Sequence, residues 1–215
     1  RFSKENKMID TSKKFLVAGA GKSGIGSVNL LLKTGEDVSL YDGNEELDKE
    51  ALFEKLYEKK EISLVLGNIT KEDIEKYDLL VLSPGISVNA PIAQMFYDQE
   101  KPVWSEIELA YQASKGKIAA ITGTNGKTTT TALTGEIMKG YYESSFVVGN
   151  IGIPYTSVAL DTQENSVITA EISSFQLETI VDFKPDVCAV LNITPDHLDR
   201  HGTVEVYAKT KESIG

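Results

Sequence analysis

The sequence predicts an α/β protein made of two successive units, each a mainly parallel, doubly wound sheet flanked by helices. Three observations predict it: strand-length apolar runs alternate with helical segments from Lys14 onward, the connections are short, and two glycine turns each stand between a strand and a helix. Lys14–Ala18 carries the apolar run of a buried strand, Ser27 to Leu32 reads as the helix after the first glycine turn, and Gly35 ends it. Val38–Tyr41 is the second strand, Asn44 to Glu58 a charged helix, and Ile62–Leu66 and Leu79–Leu82 are further strands. Pro84-Gly85 stops the last of these, Pro91 opens a helix, and Val103-Trp104 is a short strand.

A second series begins near Ser105, with helix Glu106 to Ser114, strand Lys117 to Thr122 and helix Lys127 to Lys139. Strand-like runs follow at Ser145–Val148, Ser166–Ala170 and Val187–Leu191. The boundary is expected at about residue 105, dividing the chain into 1–104 and 105–215. The second unit stops inside a segment from Val204 that still reads as helix, so it is expected to be incomplete.

Composition narrows the function. With 215 residues, 41% hydrophobic, 17 Gly, 6 Pro and one Cys, the chain is neither collagen-like, disordered nor a disulfide scaffold. Lys and Arg number 22 against 32 Asp and Glu, a net charge of -10, which argues against a nucleic-acid binder that uses a basic surface. Any anionic ligand must be gripped by a local site. Apolar runs such as Val187–Leu191 are far below the ~20 residues of a membrane helix. Arg1 to Lys14 is polar and lacks the apolar core of a secretory signal, and the lone Cys188 has no partner for a disulfide or thiolate metal site. A reducing, cytoplasmic compartment is expected.

Gly19-Ala20-Gly21-Lys22-Ser23-Gly24 satisfies G-x-G-x-x-G between a strand and a helix, and Asp42 stands at the end of the next strand. The context makes the first unit Rossmann-like: glycines let backbone N–H groups and a helix N-terminus approach a pyrophosphate, and the acid accepts from a ribose or base. A dinucleotide, another nucleotide diphosphate or a tight turn without ligand all remain open on these residues. Thr122-Gly123-Thr124-Asn125-Gly126-Lys127-Thr128-Thr129 carries the Gly-Lys-Thr end of a P-loop, although Ile121 stands where the strict pattern has its first Gly. Its chemistry survives: amides curl around phosphates, the Lys127 ammonium meets the β/γ oxygens and the Thr128 hydroxyl can ligate Mg²⁺. Lysine is unfavourable at a helix N-terminus, which itself suggests an anionic ligand. The second unit is therefore expected to be a P-loop-type ATPase domain.

At the end of the strand closing on Ala170, Glu171 is placed to bind the magnesium of ATP, with a helix-capping acid as the alternative. Glu178, a turn into the following segment, reads as an ordinary helical acid. Asn192 to His201 gathers both histidines after the last strand, and spacing does not choose between His197 and His201. Ser173-Ser174 with a distant histidine is too loose for a triad, and no zinc or esterase motif exists.

These residues resemble the Mur ligases, the ATP-dependent amide-forming enzymes of peptidoglycan precursor synthesis. Thr122 to Thr129 is similar to their ATP loop, Gly149-Asn150-Ile151-Gly152 to a substrate loop and Asn192 to His201 to their histidine segment. Ser83-Pro84-Gly85-Ile86 and Glu171 to Glu178 are most similar to the D-glutamate-adding branch. The resemblance implies that the first turn, Gly21, Lys22 and Ser23 included, grips the pyrophosphate of a UDP-sugar instead of NAD, with Asp42 by the uracil and Ser83 and Gly85 completing the pocket. It implies that Asn150 and His197 hold the muramoyl-alanine end of UDP-N-acetylmuramoyl-L-alanine, and that Gly123, Thr124, Asn125, Gly126, Lys127, Thr128 and Thr129 bind ATP. Two Mg²⁺ ions are implied, held by Thr128, Glu171, His197 and Lys211, the last carbamylated by CO₂; Lys209 is the neighbouring alternative. Lys127, Glu171, His197 and Lys211 are then the catalytic set, with D-glutamate as second substrate and a monomer as the working form. Family members have a third domain and a longer middle one, so 1–215 is expected to be a fragment with little or no turnover. An NAD-dependent oxidoreductase, a noncatalytic nucleotide-binding module, or another branch such as a folylpolyglutamate synthetase are the competing readings.

Overall fold

The computed structural model describes residues 13–150 and 152–215; the leading polar segment and Ile151 of the 149–152 loop lie outside the described residues. The first sheet contains β1 (Lys14–Ala18), β2 (Asp37–Asp42), β3 (Ser63–Leu66), β4 (Leu79–Leu82) and β5 (Val103–Ser105), in the order β3-β2-β1-β4-β5. Every neighbouring pair is parallel. Helices α1 (Lys22–Thr34), α2 (Lys49–Phe53), α3 (Lys71–Ile74) and α4 (Pro91–Asp98) connect them. The order in which strands are added reverses between β1 and β4, the switch point where ligands bind in open α/β sheets.

The continuous apolar run of β1 follows from burial on both faces. Phe15 and Val17 pack with Val28, Leu31 and Val81 on one side; Leu16 and Ala18 pack with Leu80, Ile92 and Phe96 on the other. Full burial of a side chain such as Leu31 contributes about 2 kcal/mol.

The expected helix from Asn44 to Glu58 is not continuous. Only α2 forms, followed by a 3₁₀ turn at Tyr57–Lys59. Short polar side chains compete with helix there: Asn44 Oδ1 accepts from the Glu46 N–H at 3.0 Å, and Asp48 Oδ1 caps α2 through the Ala51 N–H at 3.0 Å.

The second sheet has the order β7-β8-β6-β9, again parallel, from β6 (Lys117–Thr122), β7 (Ser145–Gly149), β8 (Val167–Glu171) and β9 (Val187–Val190). Its helices are α5 (Glu106–Ala113), which leads in from β5, then α6 (Lys127–Lys139), α7 (Ser174–Leu177), α8 (Leu198–His201) and α9 (Val204–Glu212). Ile107, Leu109, Ile118, Tyr155, Ile168 and Phe183 continue the core of β1 and α1 without a break, so the sheets share one apolar cluster. The edge strand β9 is the exception to its own apolar sequence: Val187 is 67% exposed and Cys188 is exposed. Among the described residues no helix is long and apolar enough to cross a membrane.

Candidate active site

The first glycine turn lies at the switch point. A Cβ on Gly24 would collide with the Gly19 carbonyl oxygen, which is why the turn can close onto α1 only with glycine there. Asp42 accepts from the Ala20 N–H at 2.7 Å through Oδ2 and from the Asn44 N–H at 2.9 Å through Oδ1, so this acid shapes the turn. The loop after β4 brings Ser83 against the turn: its Oγ would stand 3.0 Å from a Cβ on Gly19 and 3.1 Å from one on Gly24, and it has no hydrogen-bond partner among the described residues. Gly21, Lys22 and Gly85 are exposed, with Ser23 half-buried. Lys22 Nζ leaves the turn and donates to the Gly152 carbonyl of the second unit.

The second turn, between β6 and α6, is held from the loop after β9. The Asn192 side chain accepts from the Asn125 N–H and donates to the Asn125 carbonyl, both at 2.9 Å, while its own carbonyl accepts from the Thr124 N–H at 2.9 Å. Thr124 Oγ1 accepts from the Thr194 N–H at 3.0 Å. Lys127 Nζ folds over the loop, donating to the carbonyls of Gly123 and Thr124 at 2.9 Å each. Thr128 and Thr129 are exposed at the start of α6.

Register brings the remaining groups to the same sheet edge. Glu171 pairs with Ile121 of β6 and Gly149 of β7 and is only 2% exposed. Oε1 accepts from Asn150 Nδ2 at 3.1 Å; Oε2 is buried without a hydrogen-bond partner among the described residues. A Cβ on Gly149 would strike the Glu171 carbonyl, so only glycine lets the 149–152 loop cross here, where the Asn150 N–H donates to that carbonyl at 2.8 Å. Lys211 on α9 is 1% exposed, 3.4 Å from Thr122 Oγ1 and 4.7 Å from the centre of the Tyr207 ring. Burial, helped by the Lys127 charge, lowers its ammonium to about 8. Lys209 is exposed.

Among the described residues no three His, Cys, Asp or Glu side chains converge as a metal cluster. The donor set still fits magnesium, which takes one or two carboxylates and completes its shell with phosphate oxygens and water. The buried, unsatisfied Glu171 Oε2 is the atom that such an ion would relieve.

The histidines separate clearly. His197 is exposed at φ 51°, at the start of α8, with its ring 4.8 Å from Phe175. His201 is buried, 3.0 Å from Ser174 Oγ through Nε2 and 3.7 Å from Glu178 Oε1 through Nδ1. Burial lowers its pKa. The serine and histidine that sequence treats as distant are therefore adjacent. They form no nucleophilic triad, because Ser174 is 2% exposed and 3.7 Å is too long for the orienting bond.

Comparison with known proteins shows the family. Residues 13–105 match the Mur ligase MurD-like N-terminal domain and residues 121–215 match the Mur ligase middle domain. The chain belongs to the Mur ligase family. Curated family members named UDP-N-acetylmuramoylalanine--D-glutamate ligase are 56% identical in Lachnospira eligens and 54% identical in Lachnoclostridium phytofermentans. Each match covers 94% of this chain, which spans 45% and 44% of those proteins' lengths. Among solved structures, the UDP-N-acetylmuramate-alanine ligase of Thermotoga maritima superposes with a TM-score of 0.54 at 22% identity, over 94% of this chain and 46% of that one, a likeness of fold.

Several buried or bridging polar residues around the two turns were not singled out from sequence. Asn192 and Tyr207, whose hydroxyl lies 3.2 Å from Thr124 Oγ1, belong to quoted segments but signal nothing by type. Glu106, completely buried, accepts from Gln176 Nε2 at 2.6 Å, and Gln176 Oε1 accepts from the Ser173 N–H at 2.8 Å; only the fold joins them. Burial raises the Glu106 carboxyl to about 7, against the opposing Gln176 bond.

Proposed function

We propose that the protein is an ATP-dependent ligase that adds D-glutamate to UDP-N-acetylmuramoyl-L-alanine through an acyl phosphate in peptidoglycan precursor synthesis. The observation that carries this reading is the pairing of a switch-point glycine turn with a P-loop whose neighbours are buried Glu171 and Lys211. Residues 1–104 would form the UDP-carrier unit and 105–215 the ATP unit, with Gly21, Lys22, Ser23, Asp42, Ser83 and Gly85 on the carrier. The names of the curated relatives support the choice of substrates.

Lys127 and the 123–129 amides would orient the triphosphate, while Asn150 and His197 present the muramoyl-alanine carboxylate. That carboxylate attacks the γ-phosphorus; the new P–O bond forms as ADP leaves. The amine of D-glutamate then attacks the acyl carbon, loses a proton and expels phosphate, forming the amide. Positioning and fixed dipoles supply most of the acceleration in such phosphoryl transfer. Two magnesium ions, when bound by Thr128, Glu171, His197 and Lys211, supply neutralisation of phosphate charge. Burial lowers the Lys211 ammonium to about 8, which leaves more free amine at neutral pH than an ordinary lysine has, so CO₂ can add to its Nζ with loss of a proton and leave a carbamate. Its burial beside the P-loop favours Lys211 over exposed Lys209. The cosubstrates and the exposed lone Cys188 suit the cytoplasm.

Phosphate release by the complete gene product, assayed with ATP, UDP-N-acetylmuramoyl-L-alanine and a panel of D- and L-amino acids, tests the assignment. Strict dependence on D-glutamate is expected; release driven equally by L-amino acids would refute it.

A further inference from the structure

Arg200 on α8 lies where the two units meet, its side chain 12% exposed. Its Nε approaches Glu178 Oε2 at 3.1 Å and Nη2 the same oxygen at 2.5 Å, and its guanidinium carbon stands 4.1 Å from the centre of the Phe175 ring. The remaining donors cross to the first unit: Nη1 to the Pro84 carbonyl at 2.7 Å and Nη2 to the Ile86 carbonyl at 3.0 Å. These two carbonyls flank Gly85 in the loop whose Ser83 packs on the first glycine turn.

We propose that Arg200 is a positioning residue: it holds the 83–86 loop, one wall of the carrier site, in fixed placement against the segment that presents His197. The guanidinium is suited to this because its planar fork serves a carboxylate and two carbonyls together, which a lysine ammonium on a flexible stem cannot do. Glu178, with 10% side-chain exposure, is held in place by the same pair and in turn aims the fork. The polar link thus runs from Glu178, at the end of α7, through Arg200 into the first unit, three residues from His197. By sequence Glu178 reads as an ordinary helical acid, and Arg200 carries no signal of its own.

The inference rests on the UDP-carrier reading of the first turn, and its test separates the two. Arg200→Lys in this chain is expected to speed amide hydrogen exchange at residues 85–89 about tenfold and to weaken UDP-N-acetylmuramoyl-L-alanine binding, read by calorimetry, about tenfold. MgATP affinity and exchange at 123–127 are expected to stay unchanged. Unaltered exchange in the 85–89 loop, or equal loss at both nucleotide sites, would overturn the positioning role. A wild-type chain that does not bind the UDP compound would overturn the carrier reading, and the exchange measurement would still decide whether Arg200 holds the loop. Should Arg200→Lys fail to fold, Glu178→Gln, which keeps one acceptor oxygen, carries the same comparison with a smaller change.

Discussion

The two glycine turns start from the same plan and finish differently. Each opens a 13-residue helix with lysine at its first position and no acid in its first turn, an arrangement that favours anions at both helix N-termini. Lys127 folds back over its own loop, and that loop is clamped from within its own sheet by Asn192. Lys22 instead reaches across to Gly152, and the wall beside its turn is tied to the second unit by Arg200. The second turn is thus held within one sheet, whereas the first, shaped by Asp42 of its own sheet, is also braced from the second unit. A shared loop chemistry has been given two mechanical settings, one self-contained and one dependent on how the units meet.

The largest expected effect comes where the backbone packs tightest, at the first turn and at the loop after β7. Gly24→Ala and Gly149→Ala each force a Cβ into a backbone carbonyl and should cost about 4 kcal/mol of stability in urea unfolding, whereas Gly21→Ala, with open space around it, should cost less than about 1 kcal/mol. Equal costs at Gly21 and Gly24 would contradict the packing described. Next, Lys127→Ala should lower MgATP affinity about a hundredfold by calorimetry with no change in UDP-compound affinity. Lys22→Ala should do the reverse.

Glu106 sharpens the comparison at the junction. Its carboxyl is raised to about 7 by burial, so the folded state retains a proton that the unfolded chain releases above about 4.5. Stability should therefore fall as pH rises from about 4.5 to about 7, by up to about 3 kcal/mol, and thermal melts of Glu106→Gln should lack that slope. A smaller effect is expected at Asn192→Ala: roughly tenfold weaker MgATP binding from the loosened loop, with the carrier site untouched.

Sequence revealed the frame because period and punctuation are local. The limits of β1, β4, β6 and α6 follow from apolar runs bounded by glycine, proline or charge, and Pro91 opens α4 as its fixed φ favours. The Asn44–Glu58 segment misled because helix-forming charges outnumber the Asn and Asp side chains that cap and interrupt it. The positions of Glu171 at the end of β8 and of Lys127 at the start of α6 were legible from sequence, since strand ends and glycine turns are marked locally. Asn192, Arg200, Glu106 and Gln176 were not, because a buried polar contact between distant segments leaves no period or spacing in the chain.

Calorimetric titration of this chain with UDP-N-acetylmuramoyl-L-alanine and with MgATP, each in the absence and presence of the other, tests most directly that the two turns hold two different nucleotides. One site for each is predicted, both filled together, with only the MgATP site lost in Lys127→Ala. Mutual exclusion of the two compounds, or NADH occupying the first turn in place of the UDP compound, would contradict the account.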